Sequence, residues 1–313
     1  PISSFSLSSE DYLKDAGTFF RIRMDATDSS SALFRSARIY QELLSFHNKF
    51  KNAEAYGDID LNRIQFVYTF SAAEKKDSLY VSALENVMRI FGNGPIADEA
   101  GFLLADWHSA NASRPGASAK DLLRKAVSIC EAVSARGDST AGRANCLALK
   151  ETLTRKDIRF LAEKINLPKE PFRILVSYKN TEKIHFRIIT LQQNDAPQLR
   201  EAHQEQEAFW RWWAQQPPLR AWTTSLPQGN DMKEHKVEVK AEGLPIGTYL
   251  ILASIDSTFT TEGNVLALQL IHISSIGWIQ SGNDLYIVDR LNGMPKANAT
   301  VTLFEEAFRY ETG

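Results

Sequence analysis

Phe172-Arg173-Ile174-Leu175-Val176-Ser177-Tyr178, then Lys179-Asn180-Thr181-Glu182, then Lys183-Ile184-His185-Phe186-Arg187-Ile188-Ile189 is the stretch on which the fold turns. β-Branched and aromatic residues fill both runs and polar residues separate them, a spacing that predicts a β-hairpin. Upstream, Ile158, Phe160 and Ala162 alternate with Arg159, Leu161 and Glu163, and Pro168 blocks any helix from continuing. Downstream, His235-Lys236-Val237-Glu238-Val239-Lys240 alternates strictly, and Thr248 to Ser254 and Val265 to Ile273 read as further strands. About seven short strands between Ile158 and Ser274 suit one antiparallel sandwich of roughly 100 residues plus an insertion.

Two turn signals follow the same logic. Leu244-Pro245-Ile246-Gly247-Thr248-Tyr249 leads into a strand, and Asp289-Arg290-Leu291-Asn292-Gly293-Met294-Pro295 leads toward Ala299 to Phe304; each sets a Gly where a tight reversal needs one. A second β unit opens with Ile276-Gly277-Trp278-Ile279-Gln280, turns at Ser281-Gly282-Asn283-Asp284 and returns through Leu285 to Arg290. From Ser275 to Gly313 there are 39 residues, too few to close a second sandwich, so the chain is expected to stop inside that domain.

Before Thr154 the period is helical. Ala32, Leu33, Ala37, Tyr40, Leu43 and Leu44 keep a three-to-four spacing, as do Leu79, Ala83, Leu84, Val87 and Ile90, and Leu122, Leu123, Ala126, Val127 and Ile129. Asp77-Ser78 and Ser118 are suited to N-caps, and Gly92-Asn93-Gly94-Pro95 and Gly137-Asp138-Ser139 to breaks. The helix lengths resemble a tetratricopeptide-like array, but no clean period of about 34 residues runs through them. The chain is therefore read as α+β and multidomain: 1–153 an irregular helical-hairpin region, 154–274 a sandwich with an insertion at 194–230, and 275–313 the opening strands of a second sandwich.

Four of the six tryptophans lie in the insertion: Trp210, Trp212, Trp213 and Trp222. An exposed aromatic platform for a sugar or peptide would use such a cluster. An amphipathic helix pinned to the sandwich by Phe209, Trp210 and Trp213 explains the same spacing, and is preferred because Trp is mostly buried. Cys130 and Cys146 flank the turn near Gly137 at similar distances, so an antiparallel helix pair would bring them close, either as a disulfide or as two buried thiols. A disulfide would imply an oxidising compartment.

Composition and motifs exclude several functions. Lys and Arg (36) nearly balance Asp and Glu (38) for a net charge of −2, which offers no field for nucleic acid or anionic lipid. No apolar run reaches membrane-spanning length, and Pro1-Ile2-Ser3-Ser4-Phe5 lacks the form of a signal peptide. His47, His108, His185, His203, His235 and His272 show no zinc-protease spacing, and neither cysteine has metal-ligand spacing to a second Cys or His. No phosphate loop or nucleophile elbow occurs. Glu305-Glu306 and Glu205 with Glu207 read as solvated faces, and Asp25, Asp28, Asp58 and Asp60 are too scattered for a calcium loop. No catalytic residue, cofactor or metal site is expected.

Val176-Ser177-Tyr178-Lys179-Asn180 with Ile184-His185-Phe186-Arg187-Ile188 resembles the first macroglobulin-like domain of bacterial alpha-2-macroglobulin family proteins, especially the Bacteroidetes type. Leu244 to Tyr249 is similar to that domain's closing hairpin and Val288 to Val301 to the start of the next, while the helical segment ending near Asn145-Cys146-Leu147-Ala148-Leu149 is similar to the family's leader. The resemblance implies an envelope protein, periplasmic or lipid-anchored through a segment outside this chain, built from many β-sandwiches that trap or restrain proteases. In thioester-bearing members a Cys-x-x-Gln pair reacts with the attacker; Cys130 is followed by Glu131-Ala132-Val133 and Cys146 by Leu147-Ala148-Leu149, so neither can form it. The expectation is a non-enzymatic scaffold whose partners are proteases or other envelope proteins. A carbohydrate-binding or surface-adhesion module using the four tryptophans is the alternative.

Overall fold

The computed structural model describes residues 5–24, 31–137, 139–192, 206–227, 229 and 231–302. Asp25, Asp28, His203, Glu205, Leu303, Phe304, Glu305, Glu306 and most of 194–205 lie outside the described residues. The chain divides into two compact units, Pro1–Arg155 with Asn230–Met232, and Lys156–Gly229 with Lys233–Gly313.

The first unit is helical. A short α1 (Ala16–Phe19) precedes α2 (Ala32–Lys49), α3 (Ala53–Phe70), α4 (Lys76–Phe91), α5 (Pro95–Asn111), α6 (Ala119–Ser134) and α7 (Ala141–Thr154). From α2 onward each helix packs on the next. The ends are set by local chemistry. Asn52 Oδ1 accepts from Ala55 N at 3.1 Å to start α3, Thr140 Oγ1 accepts from Arg143 N at 3.2 Å to start α7, and Gly92 ends α4 at φ 62°. Asp77-Ser78, expected as an N-cap, instead lies inside the first turn of α4; Lys75 holds the cap position without a side-chain bond. Asp77 is drawn elsewhere because its carboxylate accepts from Tyr68 and Arg114. Ser118 does stand at the start of α6, but its hydroxyl bonds Asp121 rather than the backbone.

Three glycines let the helices approach closely. A Cβ on Gly142 would lie 2.4 Å from the Asp98 backbone, one on Gly57 2.6 Å from Phe91, and one on Gly101 2.6 Å from Val133. A segment with no periodic signal, Phe5 to Met24, threads into the helical core and buries Leu7, Leu13 and Phe19. Gln41 Nε2 donates to the carbonyls of Phe19 (3.0 Å) and Ile22 (2.8 Å), and Ser71 Oγ to that of Leu7 (2.7 Å), so non-helical backbone is satisfied inside the unit.

The second unit is a sandwich. β1 (Asp157–Ala162), β3 (Phe172–Lys179) and β6 (His235–Ala241) make a three-stranded antiparallel sheet in the order β1-β3-β6. The facing sheet has the order β2-β8-β7-β4-β5, from β2 (Ile165–Asn166), β4 (Lys183–Thr190), β5 (Arg220–Ser225), β7 (Gly247–Ser254) and β8 (Leu266–Ile273). Only β2 against β8 is parallel.

The expected hairpin at 172–189 is corrected here: its two runs are strands, but they belong to opposite sheets. β3 pairs with β1 and β6, and β4 with β5 and β7. Each strand carries one apolar face, Phe172, Ile174, Val176 and Tyr178 on one side and Ile184, Phe186 and Ile188 on the other, and these rows meet as the sandwich core. Asn180, at φ 54°, turns the chain from one layer to the other.

The 194–230 segment is likewise not wholly an insertion. Its described part forms α8 (Gln206–Gln215) and then β5, which pairs with β4 at the edge of the five-stranded sheet. α8 covers the outer face of that sheet, so β7 is buried on both sides: Tyr249, Ile251 and Ala253 face the sandwich core while Leu250 and Leu252 pack with Trp213. This explains why Tyr249 to Ala253 is continuously apolar rather than alternating.

β9 (Ile276–Ser281) and β10 (Asp284–Asp289) form a separate antiparallel pair around Gly282 at φ 61°. Asp289 Oδ1 then accepts from Leu291 N at 3.0 Å, Gly293 turns at φ 71°, and Lys296 meets Asp289 Oδ2 at 3.0 Å, which gives the Asp-Arg-Leu-Asn-Gly-Met-Pro turn its shape. The strand expected from Ala299 is not present over 299–302.

Candidate functional site

α3, α5 and the first turn of α7 enclose a cleft of about 380 Å³. Its position follows from Asp98, buried on α5, which accepts from Arg136 Nη1 at 2.6 Å and from Thr140 Oγ1 at 2.8 Å. Thr140 is also the N-cap of α7, so a single carboxylate fixes where that helix begins. Glu54, Asp58 and Glu99 line the cleft beside Leu61 and Ile96, with no Lys, Arg or His among the lining residues. Burial, and then the charge of Asp58, raises the Glu99 carboxyl above the usual range. The cleft carries negative charge and no nucleophile; it is a binding surface by chemistry.

The sequence-predicted residues fall as follows. Trp213 is fully buried beneath α8, with its Nε1 unpaired, among Ile189, Leu250, Leu252 and Phe259. Trp212 meets it edge-on at 4.5 Å, and Trp210 and Phe209 pack on the same cluster. Trp222 is on β5 and stacks on Phe186 at 4.9 Å. The four rings are thus split between the two faces of one sheet rather than gathered into a platform. Arg187 reinforces α8, donating to the Ala214 carbonyl at 2.8 Å while its guanidinium sits 4.0 Å from the Phe259 ring centroid.

Cys130 on α6 and Cys146 on α7 are both fully buried thiols and hydrogen-bond one another. That bond holds the Cys130 thiol below its ordinary value against the effect of burial, and the same bond together with burial raises Cys146. The described histidines are dispersed: His185 bonds Thr223, His272 bonds Thr248, His47 lies edge-on to Phe46, and His108 is buried with Nδ1 unpaired. Among the described residues no group of three or more His, Cys, Asp or Glu is placed to hold a metal ion, and no helix is long and apolar enough to cross a membrane.

Sequence reasoning missed the polar anchors. Arg63 is fully buried; it bonds Asp60 at 2.6 and 2.9 Å, donates to the Tyr12 carbonyl at 2.6 Å and lies 4.9 Å from the Phe19 ring centroid. Burial pushes the Asp60 carboxyl up, while the Arg63 charge pulls it back. Tyr68 joins α3 to α4 and α5, donating to Asp77 at 2.8 Å and accepting from Trp107 Nε1 at 2.9 Å. Tyr80 stacks on it at 4.1 Å, and burial moves the Tyr80 hydroxyl up to about 12. An Asp-x-x-Arg pair on one helix face was the available signal for Arg63, but its third partner, 51 residues away, leaves none.

The β9–β10 pair presents apolar residues on both faces. Trp278 opposes Ile287 on one face and Ile279 opposes Tyr286 on the other. Trp278, Ile279 and Tyr286 are 63%, 58% and 54% exposed, values that belong to a sheet with no covering layer among the described residues.

No family model matches the chain, and no curated protein matches it. Solved structures give loose likenesses. Native alpha-2-macroglobulin from Escherichia coli, in a crystal structure spanning domains MG0-NIE-MG1, is 14% identical at a TM-score of 0.32, covering 45% of this chain and 47% of that one. The chain therefore spans about half of that structure's length. A second structure of the same protein, spanning NIE-MG1, is 12% identical at 0.29, covering 46% and 74%. An alkylpurine DNA glycosylase from Pseudomonas fluorescens, bound to DNA containing an abasic site analog, is 7% identical at 0.21, covering 83% and 86%. Similarities of this size establish neither fold nor activity.

Proposed function

We propose that this chain is a non-enzymatic scaffold and partner-contact segment of a larger alpha-2-macroglobulin-like protein of the bacterial cell envelope, serving protease restraint or envelope defence. The observation that carries the reading is the β9–β10 pair: a finished sandwich is followed directly by two strands apolar on both faces, as in β modules laid in series where the next module supplies the missing layer. The motifs shared with macroglobulin-like domains point the same way. The sandwich and helices then act as rigid support, and chemistry on a trapped protease takes place elsewhere in the larger protein.

The test compares the chain with a version ending at Ser275. The shorter protein is expected to keep the sandwich's melting temperature and to lose most binding of an apolar dye, and neither version should hydrolyse peptides or block a protease by itself. Loss of the sandwich on removing β9 and β10, or protease inhibition by the isolated chain, would refute the proposal.

A further inference from the structure

α2 has two apolar faces. At about 100° per residue, Ala37, Gln41 and Leu44 form its buried face toward the helical core, while Ile39, Leu43, Phe46 and Phe50 at the C-cap lie within about 60° of one another on the opposite side. These four are 55%, 39%, 55% and 62% exposed. Their 4-3-4 spacing is that of a heptad seam, and the stripe is narrow, as a helix-to-helix seam is, rather than broad as on a helix lying in a lipid surface. Phe46 and Phe50 are already packed together at 4.6 Å. The terminal helix of a stacked array is usually polar on its outer side, and this one is not.

The rim of the stripe selects the occupant. Arg35, Arg38 and Lys49 lie along one flank and Glu42 is the single carboxylate among them, with Arg38 3.8 Å from it. A second copy of α2 laid antiparallel would bring like charges together. We infer that the outer face of α2 docks an amphipathic helix of another polypeptide whose apolar seam is bordered by acidic residues. The inference stands apart from the β9–β10 argument, and its failure would leave that argument untouched.

The probe is a labelled three-heptad peptide with Leu at the seam positions and Glu at the flanks, which repels itself and so remains available as a single helix; its Lys-flanked counterpart is the control. Fluorescence anisotropy with the full chain should show saturable binding of the Glu peptide that weakens with salt. Binding should fall about tenfold or more in the Leu43→Glu, Phe46→Glu double variant and for the Lys peptide. Both substituted positions are exposed, and circular dichroism would verify that the variant stays folded. Equal binding of both peptides, binding unchanged in the double variant, or no binding overturns the inference. So do two alternative occupants: co-sedimentation with phosphatidylglycerol vesicles that the double variant abolishes, or a concentration-dependent dimer that it dissociates.

Discussion

The two units specify their interiors by different means. Of the ten buried polar or charged residues, eight lie in the helical unit (Ser31, Gln41, Asp60, Arg63, Ser71, Asp98, His108 and Asn111) and two, Asn166 and Ser254, in the sandwich. A sheet fixes its register through the backbone ladder, so its core can be apolar throughout. An irregular helix stack has no ladder between elements, and helix faces of similar shape can slide or rotate on one another. Here Arg63, Asp98 and Tyr68 each tie two or more separate segments by bonds of defined direction. The difference teaches where each unit is vulnerable: the helical unit at single polar side chains, the sandwich at lost volume.

The sharpest way to break this contrast is Arg63→Ala. Removing the guanidinium leaves Asp60 and the Tyr12 carbonyl buried without their partner, and a loss of about 3–5 kcal/mol is expected in urea unfolding followed at 222 nm. An apolar pair of similar volume, Asp60→Leu with Arg63→Met, should recover most of that loss. If the single variant costs under about 1 kcal/mol, buried polar contacts are not what holds the helices. In the sandwich, Leu252→Ala should cost about 3 kcal/mol by leaving a cavity beneath α8, whereas Leu175→Ala, on the exposed face of the three-stranded sheet, should cost under about 0.5 kcal/mol.

A smaller effect is expected at Cys130 and Cys146. Refolding with oxidised glutathione would form a mixed disulfide on one thiol and release a reduced glutathione; the second thiol then displaces the other glutathione to give the Cys130–Cys146 bond. Intact mass should fall by two hydrogens, and stability should rise by about 2–3 kcal/mol for a loop of this size. Two free thiols after such refolding, counted in denaturant, would show that the contact is packing alone.

Legibility in the sequence followed the same division. Strands β1, β3, β4, β6, β7, β8, β9 and β10 announce themselves through alternation or apolar runs, and the long helices through their stripes, because both periods are local properties of the chain. Partner choice is not local. Phe172 to Ile189 looks the same whether it folds on itself or spans two layers, since either arrangement buries one face of each run. β5 was hidden because Arg220 to Ser225 is an edge strand with a half-wet face, and α8 held attention through its tryptophans. Phe5 to Met24 has no period at all, and its place in the core depends on Arg63, Gln41 and Ser71, whose partners lie 19 to 64 residues away. The acidic cleft was equally illegible, since Glu54, Asp58 and Glu99 look like ordinary solvated carboxylates until Gly142 and Asp98 bring α7 against α5.

The smallest expected effect is a pH dependence confined to the helical unit. His108 is buried on α5 with Nδ1 unpaired, and burial, with the charge of Lys125 as a second cause, holds its imidazole below the ordinary value near 6.5. A base whose folded-state value is depressed binds its proton more readily when unfolded, so His108 costs nothing above the unfolded value and destabilises progressively as pH falls through it toward the folded one. The melting temperature of the helical unit should therefore drop between about pH 6.5 and pH 5, and His108→Gln should flatten that part of the curve. A wild-type curve that is flat there, or a variant that keeps the full slope, would locate the acid sensitivity elsewhere and weaken the claim that buried polar groups set this unit's limits. The sandwich gives the internal control: His185 and His272 are bonded to threonines on exposed sheet faces, and its transition should not move over the same interval.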